Sequence, residues 1–291
     1  MNYLAHFGLR EPPFGITPDT GFFFPCRSSQ QALNVLLVAL QNGEGFIKIT
    51  GEVGTGKTML CRKFLATLDE NTWVSAYIPN PNLEPRALLF AVAEELGLGV
   101  DPALDQYRLL KSVTLSLLDM ARNRRRVVLC MDESQAMPLE TLEALRLITN
   151  LETEKRKLLQ VVLFGQPELD RKLASESVRQ LRQRITFQHD LQTLEEDEVG
   201  AYFTHRMRTA GFAGPEVLST GARRALFHAS RGVPRLVNIL SHKALFLLYG
   251  EDGDRLERRH IHAATLDTPS ATQPRRWWVW QGLGLSRATD R

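Results

Sequence analysis

The chain has 291 residues, 43% hydrophobic and 24% charged, with a formal net charge of +3. That is ordinary for a soluble globular protein and enough for one large or two smaller domains, while no stretch approaches the ~20 apolar residues that a membrane-spanning helix needs. The charge permits contact with nucleic acid or an anionic membrane without arguing for it. The three cysteines, Cys26, Cys61 and Cys130, are widely separated. No disulfide framework or zinc site is expected, and a reducing cytoplasm fits. Cys61 and Cys130 lie in apolar runs and are expected as small core residues. Residues 1–10 hold no apolar segment of a secretory signal.

Residues 1–30 are rich in aromatics and proline, among them Tyr3, Phe7, Pro12, Pro13, Phe14, Pro18 and Phe22-Phe23-Phe24-Pro25. They predict an irregular N-terminal arm packed on the domain that follows. Apolar spacing over 31–41 predicts a helix. Extended and helical patterns then alternate. Strands are predicted at 46–50, 73–79, 127–132, 159–165 and 184–189, and helices at 57–69, 85–97, 104–122, 138–152 and 167–183. Apolar strands separated by helices indicate an α/β domain over 31–191. Its parallel sheet would be covered on both faces and bind phosphate at the carboxyl ends of the strands. Helical patterns at 195–210, 216–230, 234–249 and 257–266 make 192–266 an all-helical domain. The tail, 267–291, is rich in Pro, Ser, Thr and Arg and is predicted to be poorly ordered. Its Arg275-Arg276-Trp277-Trp278-Val279-Trp280 segment suits a membrane interface or docking on a partner; packing back on the domain is the plainer alternative.

The most specific signal is Gly51-Glu52-Val53-Gly54-Thr55-Gly56-Lys57-Thr58, which fits G-x-x-x-x-G-K-[ST] at every fixed position. Gly51 and Gly56 let the backbone turn tightly and bring its N–H groups against phosphate oxygens. Lys57 can reach the β- and γ-phosphates of ATP, and the Thr58 hydroxyl can ligate Mg²⁺. A strand enters the loop, and a helix leaves it with its positive end toward the phosphates.

The strand at 127–132 ends in two carboxylates. Asp132 can hold Mg²⁺, and Glu133 can orient or deprotonate the attacking water. Gln166, after the strand at 159–165, can hydrogen-bond that water or the γ-phosphate; a plain turn residue is the alternative. Arg179, Arg182 and Arg184 precede the last strand. One of them can reach a neighbouring subunit's nucleotide as an arginine finger, or all three can form a solvated basic face. Gly232-Val233-Pro234-Arg235 opens a helix in the helical domain. Arg235 can fold over the phosphates; an ordinary helix start with proline in its first turn is the alternative. The run Arg122-Asn123-Arg124-Arg125-Arg126 reads as the solvated end of a helix, with nucleic-acid contact as the alternative. His260 and His262, two positions apart, do not share a helical face, so no metal site is expected there.

These elements in this order, followed by a helical lid, resemble an AAA+ ATPase. The opening Tyr3, Phe7-Gly8-Leu9, Pro13-Phe14, Pro18-Asp19 and Phe23-Phe24 is similar to that of the general secretion pathway protein A family. So are the phosphate loop, Asp132-Glu133-Ser134-Gln135, Asn150-Leu151-Glu152-Thr153, Gly165-Gln166-Pro167-Glu168-Leu169, Gln180-Leu181-Arg182-Gln183-Arg184-Ile185 and Gly232-Val233-Pro234-Arg235. The resemblance spans residues 1–266. Within the family it is strongest to the ATPases of MSHA (type IV) pilus biogenesis, through 31–64 and Tyr77-Ile78-Pro79-Asn80-Pro81.

The resemblance implies a P-loop AAA+ core, its parallel sheet in strand order 5-1-4-3-2, followed by the lid. It implies ATP and Mg²⁺ as cofactors. Gly51, Glu52, Val53, Gly54, Thr55, Gly56, Lys57, Thr58 and Arg235 then contact nucleotide, and Thr58 and Asp132 hold the metal. Glu133 completes the acidic pair, Gln166 takes the first sensor place, Arg184 or else Arg182 the finger, and Arg235 the second sensor. It also implies a self-assembled ring, expected as a hexamer. Such a ring drives assembly of a type IV pilus or type II secretion apparatus at the cytoplasmic face of the inner membrane. Two features depart from relatives. Ser134 stands where they often have alanine, and this sequence lacks the membrane span and peptidoglycan-binding domain of larger homologues, so an integral-membrane partner is expected. A second reading is a DNA-binding regulator such as a transposition target selector, although no added DNA-reading domain follows the helices. A third is a nucleotide-gated scaffold with rare turnover.

Overall fold

A computed structural model describes residues 3–149, 152–153 and 156–273. The chain divides into two compact units, Thr17–Thr193 and Met1–Ile16 with Leu194–Arg291. Elements are numbered along the chain, and α1 (Tyr3–His6) belongs to the second of these.

The first unit is an α/β sandwich. Strands β1 (Phe46–Gly51), β2 (Trp73–Ile78) and β3 (Arg126–Met131) join its main sheet. A separate antiparallel ladder follows, of β4 (Glu152–Thr153) and β5 (Arg156–Lys157). Then β6 (Leu159–Gly165) and β7 (Ile185–Leu191) complete the main sheet. All its pairings are parallel, in the order β2-β3-β6-β1-β7. Counting only its own five strands, that is the order 5-1-4-3-2.

Successive strand residues point to opposite faces, so each buried strand feeds two cores. Val127, Leu129, Met131, Val161 and Leu163 pack on one side with Leu88 and Val92 of α4 (Pro85–Glu95). The same core takes Leu109, Val113 and Leu117 of α5 (Gln106–Arg122), and Leu142 and Leu145 of α6 (Leu139–Ile148). Ile47, Ile49, Val128, Cys130, Val162 and Phe164 pack on the other side. There they meet Leu36 and Leu40 of α2 (Arg27–Asn42) and Leu60, Cys61 and Phe64 of α3 (Lys57–Ala66). The i, i+4, i+8 spacing of Leu109, Val113 and Leu117 is the core-facing stripe of an amphipathic helix. Cys61 and Cys130 are fully buried free thiols, as the sequence predicts.

Two predicted helices end early. The one predicted at 138–152 stops at Ile148 and gives way to the β4–β5 ladder. Asn150 and Leu151 of the family motif lie outside the described residues. The helix predicted at 167–183 is three pieces: α7 (Glu168–Leu173), a 3₁₀ turn at Glu176–Val178, and α8 (Arg179–Arg182). Ser175 leaves helical geometry at ψ 143°, and its hydroxyl meets that of Ser177 at 3.0 Å. Short polar side chains favour such turns, and this one brings Leu173, Val178 and Leu181 together into the core.

The second unit is helical: α9 (Glu196–Thr209), α10 (Thr220–Ser230), α11 (Pro234–Gly250) and α12 (Arg258–Leu266). A capping box of Glu195 and Glu198 starts α9, and the Ser219 hydroxyl starts α10. The aromatic N-terminal arm divides, rather than packing as one piece on the α/β domain. Its residues to Ile16 group with the helices. Tyr3 stacks 4.6 Å from Phe246 of α11, and Phe14 lies 4.9 Å from Phe203 of α9. Buried Arg206 ties the arm down by donating to the carbonyls of Pro13 and Gly15 and to the Tyr202 hydroxyl. Beyond α12, Thr268 and Ala271 are buried and the Thr272 N–H donates to Ala229 O at 2.9 Å, so order extends past 267. The tryptophans Trp277, Trp278 and Trp280 lie outside the described residues.

Candidate nucleotide-binding site

The loop 52–56 leaves the carboxyl end of β1, every residue of which is buried. Gly56 has φ +100°, a conformation a side chain resists, and it caps the start of α3. Gly51 is needed for a different reason than the predicted turn. A Cβ there would sit 2.9 Å from both Leu191 O of the neighbouring β7 and Thr55 Oγ1. The Thr55 hydroxyl closes the loop on itself by donating to Glu52 O at 2.8 Å. The loop thus lies against the positive end of α3, where unpaired backbone N–H groups favour an anion.

Lys57, the first residue of α3, is only 6% exposed. Its ammonium donates to Gly51 O at 2.7 Å and Glu52 O at 2.9 Å. Burial pulls its pKa below the usual lysine value, opposed by the nearby charges of Glu133, Asp132, Glu52 and Asp190. One position on, the Thr58 hydroxyl donates to Asp132 Oδ2 at 2.5 Å. Asp132 sits at the tip of β3, where its N–H still donates to Ile78 O at 2.9 Å. Its other carboxylate oxygen accepts from the Glu133 N–H at 3.0 Å. Burial raises its pKa, against the Thr58 and Glu133 bonds that lower it. An ammonium, a hydroxyl, a buried carboxylate and backbone donors therefore converge, and this set fits a magnesium-bound polyphosphate. Thr58 and Asp132 are side chains that could supply oxygen ligands to such a metal.

Glu133 adopts left-handed φ 53°, ψ 36°, a conformation that strains a non-glycine residue and recurs at functional sites. The turn is pinned by Ser134, fully buried, whose hydroxyl donates to Met131 O at 2.9 Å. The serine that departs from the family pattern is thus satisfied in place. The Glu133 carboxylate is gripped through Oε2, which accepts from Gln166 Nε2 at 3.1 Å and from Gln135 Nε2 at 2.5 Å. Gln166 is where the sequence placed it, at the tip of β6 next to β3 in the sheet. Gln135 was given no role by sequence reasoning; the available signal was its place in the Asp132-Glu133-Ser134-Gln135 box.

Arg179, Arg182 and Arg184 are not brought to this site. Arg179 and Arg182 are exposed on α8, and Arg184 is half-buried ahead of β7. Ile185 pairs with Phe46 at the start of β1, whereas Leu191 pairs with Gly51 at its end. Arg184 therefore lies at the sheet edge opposite the phosphate loop, a strand length or roughly 16 Å away. Arg235 is the second residue of α11, in the helical unit.

Residues 40–173 match the protein family described as AAA domain. The chain is 39% identical over 302 aligned positions to general secretion pathway protein A of Aeromonas hydrophila. That alignment takes in 97% of this chain but 55% of the relative, so the chain spans about half of that protein's length. Among solved structures, the Aeropyrum pernix ORC2 protein, determined as ADPNP–ADP complexes, superposes with a TM-score of 0.65 at 16% identity. It covers 91% of this chain and 73% of its own. The Aeropyrum pernix ORC1 protein in complex with DNA gives 0.62 at 19% identity, over 89% of this chain and 69% of its own. At such identities the likeness shows the fold alone. The matched AAA domain, the 5-1-4-3-2 parallel sheet and the phosphate loop facing an acidic strand tip together show that this chain has the P-loop AAA fold.

Proposed function

We propose that the chain binds ATP with Mg²⁺ through residues 51–58 and Asp132, and hydrolyses it with Glu133 as general base. The observation that carries this reading is the contact of Thr58 with Asp132, set beside buried Lys57. In this scheme Lys57 and the N–H groups of 52–58 hold the β- and γ-phosphates. Magnesium, when bound, neutralises charge that develops on the phosphate oxygens. Glu133 takes the proton of the attacking water as the bond from the γ-phosphorus to ADP breaks, and Gln166 fixes the carboxylate and water. Arg184, at the opposite end of the strands from the phosphate loop, serves the site of a neighbouring copy, with Arg182 as the substitute. Arg235 acts as a second sensor within a lid domain of residues 192–266, following a nucleotide-binding domain of 31–191.

At the cellular level we propose a ring, hexameric by the family resemblance, that drives assembly of a type IV pilus or type II secretion apparatus. Similarity to general secretion pathway protein A along nearly all of this chain supports it. No helix among the described residues is long and apolar enough to cross a membrane, so the proposal includes an integral inner-membrane partner that holds the ring at the cytoplasmic face. The DNA-binding alternative gains little from the basic run. Arg125 donates to the carbonyls of Glu70 and Trp73, and Arg126 lies 4.5 Å over the Trp73 ring and donates to Leu40 O. Both are engaged within the fold. The test is ATPase activity against protein and Mg²⁺ concentration. Turnover per chain should need Mg²⁺ and rise with protein concentration as shared sites form. Activity that ignores both would overturn the reading, and tight duplex binding that weakens steeply with salt would favour the DNA-binding alternative.

A further inference from the structure

We infer that Gln135 is a positioning residue for hydrolysis, whose amide bridges the tips of β3 and β6 and holds the Glu133 carboxylate in register with Gln166. The inference rests on the reading of Glu133 as the general base. One end of the Gln135 amide donates to Glu133 Oε2 at 2.5 Å, and the other accepts from the Gln166 N–H at 3.0 Å. The Gln166 side chain closes the circuit on the same Oε2 at 3.1 Å. A carboxamide is the group that offers a donor and an acceptor on one rigid plane. A carboxylate has no donor when ionised, and an aliphatic side chain has neither. Because both amides donate to Oε2, Oε1 is left to accept from a water.

The backbone is shaped for this bridge. The left-handed turn at Glu133 and the 3₁₀ turn at Ser134–Ala136 fold Gln135 back over the strand tips. Gly165, last in β6, leaves the space open: a Cβ there would lie 3.4 Å from Gln135 Oε1 and 2.8 Å from Leu169 Cδ2. Three acyclic torsions separate the Glu133 backbone from its carboxylate. An unheld carboxylate would sample several rotamers, whereas a base must sit within hydrogen-bond reach of its water.

The experiment measures Mg·ATP affinity and single-turnover hydrolysis with the full chain in excess, for wild type, Gln135→Ala, Gln135→Glu, Glu133→Gln and the double variant Gln135→Ala/Glu133→Gln. Gln135→Glu is nearly isosteric and keeps the acceptor for the Gln166 N–H, but it turns the donated bond into repulsion between two carboxylates, so it tests the bridge even if the alanine variant fails to fold. Both Gln135 variants should keep wild-type affinity and hydrolyse about 10- to 100-fold more slowly, the scale of a misplaced reacting group. The double variant should be no slower than Glu133→Gln alone, because the two residues act as one unit. Wild-type hydrolysis in Gln135→Glu, additive losses in the double variant, or equal loss of affinity and turnover would each overturn the inference. Should Glu133→Gln itself hydrolyse at the wild-type rate, the assignment of the base fails first, and that result is distinct from the others.

Discussion

The Thr58 hydroxyl and the Asp132 carboxylate, 74 positions apart in the chain, meet at 2.5 Å. The contact joins the first turn of α3 to the tip of β3 and pairs the two side chains that can ligate magnesium. It places a carboxylate where burial disfavours its charged form.

That arrangement predicts opposite effects of Asp132→Asn on stability and function. The folded state holds a proton on Asp132 more tightly than the unfolded chain does. Stability therefore falls as pH rises from the ordinary carboxylate range through the raised value, and the penalty persists at neutral pH. Asparagine keeps the shape without the charge: its oxygen can accept from the Glu133 N–H while its amide donates to the Thr58 hydroxyl oxygen. The nucleotide-free variant should melt above wild type at pH 7 and lose that advantage near pH 4, while its Mg²⁺-dependent turnover is lost. A variant that melts well below wild type at pH 7 would contradict the account.

Glu133→Gln preserves size and removes the proposed base. It should bind Mg·ATP as wild type does and hydrolyse it roughly 10²–10⁴-fold more slowly, the usual worth of general base catalysis. Rapid-quench measurement of product formation decides, and wild-type turnover would refute the role.

The position of Arg184 at the sheet edge away from the loop predicts action between copies. Arg184→Ala should leave affinity intact and cost on the order of 10³-fold or more in turnover. Mixed with Lys57→Ala, which lacks a nucleotide site but keeps the finger, it should recover part of the activity. Unchanged turnover in Arg184→Ala moves the role to Arg182, and absent recovery in the mixture argues against sharing between copies.

Acid sensitivity is predicted in the helical unit. His242 packs edge-on against Phe246 at 4.8 Å and Tyr3 at 6.0 Å, and burial lowers its pKa from 6.5. The unfolded chain then binds the proton more tightly. The stability this buried neutral ring contributes is complete above pH 6.5 and is lost as pH falls through the lowered value. Urea midpoints at pH 7.5 and 5.5 should differ less for His242→Gln than for wild type; an equal or larger difference would rule His242 out as a source.

The candidate site was legible in the sequence wherever its parts are neighbours in the chain. Gly51 to Thr58 and the pair Asp132-Glu133 are such cases, because each is a contiguous motif on a recognisable strand–loop–helix frame. Alternating apolar runs predicted a two-faced parallel sheet, but which strands pair came only through the resemblance, since long-range pairing leaves no mark in periodicity. The break in the helix predicted at 167–183 was hidden because Leu169, Leu173, Val178 and Leu181 keep near-helical spacing across it. The contact of Gln135 with Glu133 was not legible for a related reason. It depends on the left-handed turn at Glu133, a conformation that glutamate rarely takes. The division of the aromatic arm likewise turns on Arg206, which is nearly two hundred positions from the Pro13 carbonyl it holds.

The central claim is that the loop ending in Lys57 and the strand tip at Asp132 together hold magnesium and a nucleoside triphosphate. Titration calorimetry of ATP with Mg²⁺ into the purified chain tests it most directly, beside the Lys57→Ala variant. The account predicts saturable heat at one site per chain for wild type and none for the variant. Silence from the wild-type protein, or equal binding by both, would contradict it.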